Sequence, residues 1–498
     1  MANHPMISLK KLQQKELIAI LILFLISAFF RFYRISEYMT FLGDEGRDAL
    51  VVKDLLISHN IPFIGPTMSV GNIYLGPLYY YMMAFSMAIW FSPVSAAVMV
   101  GVISLITIGL IYYLTRRWFG VVPAFIASTL YSLSPANIIH SHSSWNPNPA
   151  PLFAMIVVIS FIKALETKQF KWLILAGFGF GAAIQMHYLA LTLLPFMAIF
   201  WMYTLFEKYV KKEEIKNLWL GTSGAVLGFS LLILPFLLFE IKHHFPNTIA
   251  FYQIFFGSKG AVGFSFWEFL VRLWKIYDFT LISQSLTGGN NILGVMVGVL
   301  LLAIFFMLYK KSRFRFVILL VWLLSGLFTL GLLKQEIFDH YLNFINPVPF
   351  IILGSLWALT KDRIYRGGLL AVVLIIVSFQ LMNSPLLSPP NRQLQRTQVV
   401  AKYVINKSGS RPYNFALLAE RNYDPAYQFY LIQYGAIPQK LPDQKTDQLI
   451  VVCEDPICHP VGHPKYEIAA FGWTKIESED IVEGVKVFKL ISNPDQPK

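Results

Sequence analysis

Long apolar runs recur along the whole chain and constrain its fold more than any other feature. Hydrophobic residues make up 56% of the 498 residues and charged residues only 14%, which excludes a water-soluble globular protein. A membrane-spanning helix needs about 20 apolar residues. The sequence therefore predicts an α-helical polytopic membrane protein with about eleven transmembrane helices. The predicted spans are 17–33, 95–114, 121–138, 150–165, 171–187, 188–206, 217–239, 291–309, 314–332, 343–360 and 367–383.

The first apolar run follows Lys10, Lys11 and Lys15, and no small-residue cleavage site comes after it. These features predict an uncleaved first transmembrane helix rather than a removed signal peptide.

A twelfth apolar segment, 76–91, is short and rich in aromatic residues, and it decides the orientation of every later span. If this segment does not cross, five connections that each carry at least two Lys or Arg residues share one side, which the positive-inside rule assigns to the cytoplasm. We therefore expect 76–91 to lie at, or dip into, the outer face of the plasma (inner) membrane, with the N-terminus cytoplasmic. The net charge of +13 follows from the same bias, so we expect no nucleic-acid partner.

Polar residues become frequent after SPPNRQ, so the sequence predicts a transmembrane domain at 1–384 and a small extracytoplasmic α/β domain at 385–498. Cys453 and Cys458 could close a small loop in an oxidising compartment, or remain two thiols. Strands are predicted at 413–420, 447–453 and 485–491, and helices at 397–407 and 425–435.

The stretch FLGDEGRDALVVKDLLISHN, residues 41–60, places Asp44 and Glu45 in the first outer loop. Asp44 could be the N-cap of an amphipathic juxtamembrane helix with Glu45 in its first turn, where the helix dipole favours an anion. Alternatively, a carboxylate near an apolar interface is suited to act as a general base. Arg47 and Lys53 could then pair with a phosphate group.

Nine of the ten histidines fall on the outer side in this topology. His140 and His142 could suggest zinc, but the HSH spacing lacks a metal-binding signature. We therefore predict no metal site. Tyr79 in GPLYYY is expected to be an interfacial anchor that could also line a groove for a lipid carrier.

The order of these segments resembles the GT-C membrane glycosyltransferases. The likeness begins with a first helix, an outer Asp-Glu loop with an amphipathic helix, and then GPLYYY. The branch that looks most similar is the protein O-mannosyltransferase and aminoarabinose-transferase group, and the likeness covers about 380 residues. Further similar segments are YSLSPANIIHSHSSWNPNPAP at 131–151, GFGFGAAIQMHYLAL at 177–191, LPFLLFEIKHHFPN at 234–247 and DHYLNFINP at 339–347.

This resemblance implies transfer of a sugar, with inversion, from a polyprenyl-phosphate-linked donor to a lipid, glycan or protein acceptor outside the membrane. No nucleotide or other cofactor is expected. The resemblance makes Asp44 the base that deprotonates the acceptor hydroxyl, with Glu45 assisting. The candidates for stabilising the leaving phosphate are Arg47, Lys242, His243 and His340.

One segment departs from the family pattern. The similar branches have a second acidic residue in the second outer loop, where this chain has Trp145, Asn146, Pro147 and Asn148. Asn146 could hold an acceptor by hydrogen bonds, but an amide cannot act as a base.

Three further candidates keep two interpretations. Glu240 either caps a helix at the headgroups or takes part in carrier binding. His187 either makes a structural hydrogen bond or contacts substrate. Tyr341, beside Asp339 and His340, lies in a loop that could fold over the site.

Two other functions fit a chain of this kind. A transporter or flippase for lipid-linked saccharides would need buried charges along its path, and the spans are expected to hold almost none. A polysaccharide polymerase or ligase would keep its catalytic residues in a large later loop, here 240–290.

Overall fold

The computed structural model describes residues 13–68, 73–256, 265–333 and 336–493. Its architecture is helical, with one four-stranded sheet near the C-terminal end of the described chain. Lys10 and Lys11, and parts of the predicted outer loops 240–290 and 333–342, lie outside the described residues.

The apolar runs form helices because a helix satisfies its backbone N–H and C=O groups internally, as lipid requires. The segments Tyr188–Leu193 and Asp339–Leu342 are 3-10 helical, and Ile276–Gln284 is π-helical. The α-helices are α1 (Gln14–Phe32), α2 (Ile35–Tyr38), α3 (Gly43–Ser58), α4 (Leu78–Ile89), α5 (Pro93–Phe119), α6 (Val121–Leu133), α7 (Pro135–His142), α8 (Ala150–Thr167), α9 (Trp172–Met186), α10 (Leu194–Val210), α11 (Lys216–Lys242), α12 (Pro246–Phe256), α13 (Phe266–Lys275), α14 (Asn291–Lys311), α15 (Arg313–Gly331), α16 (Pro347–Leu359), α17 (Arg363–Met382), α18 (Gln393–Ser408), α19 (Pro425–Gln433) and α20 (Tyr466–Phe471).

Each of the eleven predicted spans coincides with a helix or with two consecutive helices. Within the described residues, seven helical stretches are long and apolar enough to cross a membrane, and the pair α6 and α7, bent by 60°, would make an eighth. α9 and α16 are apolar but contain only 15 and 13 residues. Length and apolar content alone therefore support fewer spans than the eleven expected.

α1 has the length of a span but carries charged side chains near both ends. Arg31 is fully buried; its Nε donates to Ser104 Oγ at 3.2 Å, and its Nη1 donates to the carbonyl of Ser132. Glu16, also buried, pairs with Arg116. Of these two residues only Arg31 lies within the predicted span 17–33, where almost no ionisable groups were expected. Its hydrogen bonds to serine oxygens reduce the cost of burying the charge.

α4, within the segment whose crossing decided the orientation, contains 12 residues. It is about 18 Å long, whereas the hydrocarbon core of a bilayer is about 30 Å thick. α9 and α16 are also short, so length alone does not decide which of these helices cross, and the non-crossing of 76–91 stays a prediction.

The chain divides into two compact units. The first unit joins three segments, and the second unit joins part of the predicted first outer loop to the C-terminal segment. The first unit is Met1–Tyr33, Ile61–Met82 and Ala97–Pro389, and the second unit is Arg34–Asn60, Met83–Ala96 and Pro390–Lys498.

The sheet of the second unit consists of β1 (Asn414–Leu418), β2 (Gln448–Cys453), β3 (Thr474–Val482) and β4 (Val485–Ser492), in the order β1-β2-β4-β3. β1 runs parallel to β2, and β4 is antiparallel to both β2 and β3. β1, at one edge of the sheet, and β2, inside it, are both buried along their whole length, as strands covered on both faces are.

The three predicted strands correspond to β1, β2 and β4, and the two predicted helices correspond to α18 and α19. β3 and α20 were not predicted. Cys453 and Cys458 form a disulfide, which selects the first of the two alternatives left open by the sequence.

Candidate active site

α3 begins at Gly43, and its N-cap residue is Leu42. Oε2 of Glu45 accepts a hydrogen bond from the backbone N–H of Leu42 at 3.1 Å, as the acidic residue of a capping box does. The interpretation of Asp44 as the N-cap is therefore wrong. Glu45 is buried in this capping contact, whereas the side chain of Asp44 is 43% exposed.

Asp44 is held through one carboxylate oxygen. Oδ1 accepts hydrogen bonds from Nη1 of Arg47 at 2.9 Å and from the hydroxyl of Tyr423 at 2.6 Å. Among the residues that the structure describes, no hydrogen bond to the other oxygen, Oδ2, is found. A half-exposed carboxylate fixed in this way is suited to accept a proton from an incoming hydroxyl group.

Arg47 bridges two carboxylates of α3. Besides Asp44 it contacts Asp48, whose Oδ1 accepts from Nε at 2.9 Å and from Nη2 at 2.8 Å. Asp48 is fully buried, and this burial raises its pKa to about 7, although the charge of Arg47 opposes the shift. Arg47 therefore orients Asp44 within the protein, and its contact with a donor phosphate stays a prediction.

The two glycines on either side of Asp44 and Glu45 allow α3 to approach α19 closely. A Cβ atom on Gly43 would lie 2.0 Å from the ring of Tyr423, and one on Gly46 would lie 2.2 Å from the backbone nitrogen of Ala426. Ordinary contacts begin near 3.4 Å. The glycines thus bring the start of α3 within hydrogen-bond reach of Tyr423.

Lys53 lies nine residues beyond Asp44, about 13 Å along the helix axis. Its Nζ sits over the ring of Phe429, 5.9 Å from the ring centroid. Burial lowers the pKa of Lys53. The structure therefore shows Lys53 in a cation-π contact with α19, and its predicted pairing with a phosphate is untested.

Three of the predicted substrate-binding residues, His187, His340 and Tyr341, come together in the first unit. The ring centroids of His340 and Tyr341 are 4.5 Å apart, and those of His187 and Tyr341 are 5.3 Å apart. Trp145 adds a ring 4.6 Å from His340. Nδ1 of His187 also accepts a hydrogen bond from the backbone of Leu189, so His187 makes the structural hydrogen bond proposed as one alternative.

Asp339 lies next to this aromatic cluster and contacts two histidines. Asp339 accepts hydrogen bonds from His140 at 3.2 Å and from the backbone of His340 at 2.8 Å. Burial alone would raise the pKa of Asp339, but these contacts outweigh it and lower the pKa, so Asp339 stays ionised.

Asn146 and Tyr79 are both buried in the first unit. Nδ2 of Asn146 donates to the carbonyl of Met186 at 2.6 Å, and the hydroxyl of Tyr79 lies 2.9 Å from Oγ of Ser144. Both side chains therefore tie the Trp145 segment to its neighbours.

Glu240 caps α12. Its two carboxylate oxygens accept four hydrogen bonds of 2.7 to 3.1 Å from the backbones and side chains of Asn247 and Thr248. Lys242 and His243 lie exposed at the C-terminal end of α11. The structure thus favours the capping interpretation of Glu240.

A cavity of about 1390 Å³ in the first unit was not expected from the sequence. α13, the π-helical segment, the start of α7 and residues 336–339 line it. Its lining includes the apolar side chains of Trp267 and Phe279 and the basic side chains of Arg272 and Lys275. It also includes three acidic residues, Glu268, Glu336 and Asp339. The amphipathic stretch FWEFLVRLWK was the signal that could have pointed to it.

Within the described ranges, no group of three or more His, Cys, Asp or Glu side chains is placed to hold a metal ion.

Residues 75–239 match the family model of the dolichyl-phosphate-mannose-protein mannosyltransferases, which is less than half of the chain. No curated protein matches the sequence.

The fold is similar to that of ArnT from Cupriavidus metallidurans bound to undecaprenyl phosphate. The TM-score is 0.59 at 12% identity, over 97% of this chain and 99% of ArnT. It is also similar to the archaeal oligosaccharyltransferase AglB from Archaeoglobus fulgidus in complex with an inhibitory peptide and a dolichol-phosphate. That TM-score is 0.53 at 13% identity, over 88% of this chain and 69% of AglB. At these identities the likeness shows the fold alone.

Proposed function

We propose that this chain, whose fold is similar to those of ArnT and AglB, is an inverting glycosyltransferase. In this proposal it moves a sugar from a polyprenyl-phosphate-linked donor to a hydroxyl group of a lipid, glycan or protein acceptor. The observation that carries the proposal is Asp44, half exposed in the first turn of α3 and fixed there by Arg47. The match of residues 75–239 to the mannosyltransferase family model supports the reaction class.

The proposed step is a single displacement. The acceptor oxygen forms a bond to the anomeric carbon while the bond from that carbon to the phosphate oxygen breaks, and the polyprenyl phosphate leaves with the bonding electrons. Asp44 takes the proton of the acceptor hydroxyl, which makes the oxygen a better nucleophile in the transition state. A base on the face opposite the leaving group gives inversion.

Arg47 and Glu45 support Asp44 in this mechanism. Glu45 fixes the start of α3 through Leu42, and Arg47 keeps Oδ1 of Asp44 in place. Because Arg47 is paired with two carboxylates, its cationic charge also offsets the repulsion between Asp44 and Asp48.

The donor class is supported by the printed ligands of two proteins with a similar fold. ArnT was solved with undecaprenyl phosphate and AglB with a dolichol-phosphate, and both molecules are polyprenyl phosphates. In this chain the 1390 Å³ cavity combines an apolar wall with two basic and three acidic residues. Its apolar wall would suit an isoprenoid chain, and Arg272 and Lys275 would suit the phosphate.

The expected orientation is part of the proposal. Basic residues end α5 and α14, at Arg116, Arg117, Lys310 and Lys311, and the positive-inside rule favours a cytoplasmic location for them. We therefore propose that the N-terminus is cytoplasmic in the plasma (inner) membrane. The domain at 385–498 would then be extracytoplasmic, with the transfer reaction on the same side.

The test uses the purified chain in detergent with undecaprenyl-phosphate mannose or undecaprenyl-phosphate aminoarabinose as the donor. A membrane extract supplies lipid, glycan and protein hydroxyl groups as acceptors. We expect release of undecaprenyl phosphate together with a glycoside of inverted anomeric configuration, detected by NMR. No release from either donor, or a product that retains the donor configuration, would contradict the proposal. Energy-independent movement of intact donor across vesicles, without bond cleavage, would support a flippase instead.

A further inference from the structure

The C-terminal segment contributes a side chain to the candidate base. Tyr423 belongs to the loop before α19, yet its hydroxyl donates to Oδ1 of Asp44 at 2.6 Å. The same hydroxyl accepts from Nη1 of Arg47 at 3.1 Å. Because Arg47 also donates to Asp44, the three polar groups form a closed triangle in which each contacts both others.

Neighbouring contacts hold the Tyr423 backbone at the start of α3. Oδ1 of Asn422 accepts from the backbone N–H of Gly43 at 2.9 Å and from that of Tyr423 at 2.8 Å. The amide nitrogen of Asn422 donates to the carboxylate of Glu454 at 3.1 Å. Asn422 therefore fixes the Tyr423 backbone relative to the first turn of α3.

Glu454 in turn is anchored by the sheet and by two more side chains. It directly follows β2 inside the loop closed by the Cys453–Cys458 disulfide. Its carboxylate accepts from the hydroxyl of Tyr427 at 2.6 Å and pairs with Arg396 at 3.3 Å. A chain of hydrogen bonds thus runs from the core of the second unit to the candidate base.

We propose that Tyr423 is a positioning residue for Asp44, an inference that rests on the proposed function. With Oδ1 occupied by two donors, the carboxylate has a defined rotation, and Oδ2 is the oxygen left to accept the acceptor proton. Tyr423 acts through Asp44 and does not itself contact the sugar. This gives the C-terminal segment a part in the reaction.

The variant Tyr423→Phe removes the hydroxyl and keeps the ring that packs on Gly43, so the fold should be retained. In the undecaprenyl-phosphate mannose and aminoarabinose assays, we expect kcat to fall by about tenfold or more, the effect of losing a hydrogen bond to a charged group. KM for the donor should change by less than about twofold, because the hydroxyl does not bind it. Tyr466→Phe, at an exposed tyrosine of the same unit, is the matched control and should retain wild-type kcat.

If Tyr423 had only a structural role, Tyr423→Phe would lower the melting temperature, or would raise KM while kcat fell. Either pattern would overturn the proposal. The variant Asp44→Asn, assayed in parallel, separates the two claims. If Asp44→Asn turns over like the wild type, the proposed base is wrong. If Asp44→Asn is inactive while Tyr423→Phe keeps wild-type kcat, only the role of Tyr423 is wrong.

A second measurement needs no turnover. 3-Fluorotyrosine is placed at position 423, and its hydroxyl is titrated by ¹⁹F NMR in chains with Asp44 and with Asp44→Asn. Burial raises the pKa of Tyr423, and the hydrogen bond to Asp44 raises it further, while Arg47 opposes the shift. We expect the pKa to fall when Asp44 becomes Asn. An unchanged pKa would mean that the contact is absent in solution and would overturn the proposal.

Discussion

Replacing Gly46 by Ala should separate α3 from α19 and thereby displace the candidate base. The added Cβ would lie 2.2 Å from the backbone nitrogen and 2.4 Å from the Cα of Ala426. Both are backbone atoms, so no side-chain rotation can relieve the clash. Restoring an ordinary contact requires the two segments to move apart by about 1 Å, since carbon contacts are optimal near 3.5 Å or more.

A displacement of this size would lengthen the 2.6 Å hydrogen bond between Tyr423 and Asp44 beyond hydrogen-bond range. Overpacking of this kind costs about 1–3 kcal/mol of stability. Misplacement of a catalytic group by about 1 Å can cost about a hundredfold in rate. We therefore expect Gly46→Ala to lower the melting temperature modestly and kcat strongly, measured by differential scanning fluorimetry and by undecaprenyl phosphate release.

Gly367→Ala provides the matched control, because a Cβ there meets no atom within 4 Å. It also lies inside a helix, where Ala is favoured over Gly. Wild-type activity and stability in Gly46→Ala would refute the close approach of α3 and α19 and the positioning argument built on it.

Two further predictions concern a buried acid and the cavity. Because the folded-state pKa of Asp48, about 7, lies above its ordinary value of 3.8, the folded chain keeps a proton that the unfolded chain has lost. The free energy of unfolding should therefore fall as pH rises between these values, by about 4 kcal/mol at most. In Asp48→Asn the melting temperature should depend less on pH over this window. The same pH dependence in the variant and the wild type would contradict this account. Arg272→Ala should weaken binding of undecaprenyl phosphate by about tenfold or more, because a charge-assisted hydrogen bond is lost. The control in this titration is Arg363→Ala, since Arg363 is exposed at the start of α17. Equal affinity of Arg272→Ala and the wild type would exclude Arg272 from the carrier site.

The sequence predicted most of the helices because lipid leaves a long apolar segment few alternatives to a helix. The buried strands β1 and β2 were visible as continuous apolar runs for a similar reason. β3 was missed because TKIESEDIV alternates exposed charged residues with few apolar ones. The dipeptide Glu483-Gly484 was a possible turn signal in the sequence. In the structure both residues have positive φ and join β3 to β4 as a two-residue hairpin turn.

The candidate site was only partly predictable. Asp44 and Glu45 stood out because two adjacent carboxylates after an apolar helix are unusual. Asp48 could also have been found, since residues four apart share one face of a helix, and Arg47 lies between the two acids. Tyr423 could not, because 379 residues separate it from Asp44 and no local pattern reports a contact of that range.

The roles of Gly43 and Gly46 likewise required the structure. Their spacing in GDEG is compatible with many turns. Only the ring of Tyr423 beside Gly43 and the backbone of α19 beside Gly46 show that side chains are excluded there. The assignment of the N-cap was wrong for a related reason, because the helix starts two residues earlier than the sequence indicated and Glu45 makes the capping contact.

The most direct test of the central claim compares Asp44→Asn with Asp54→Asn. Both replace a carboxylate by an amide on α3, but Asp54 is exposed and bonded to Asn60. With undecaprenyl-phosphate mannose or aminoarabinose as donor, Asp44→Asn should lose about 10²–10⁴-fold in kcat, the usual contribution of a general base, while Asp54→Asn should match the wild type. A well-folded Asp44→Asn chain with wild-type kcat would contradict the assignment of Asp44 as the base.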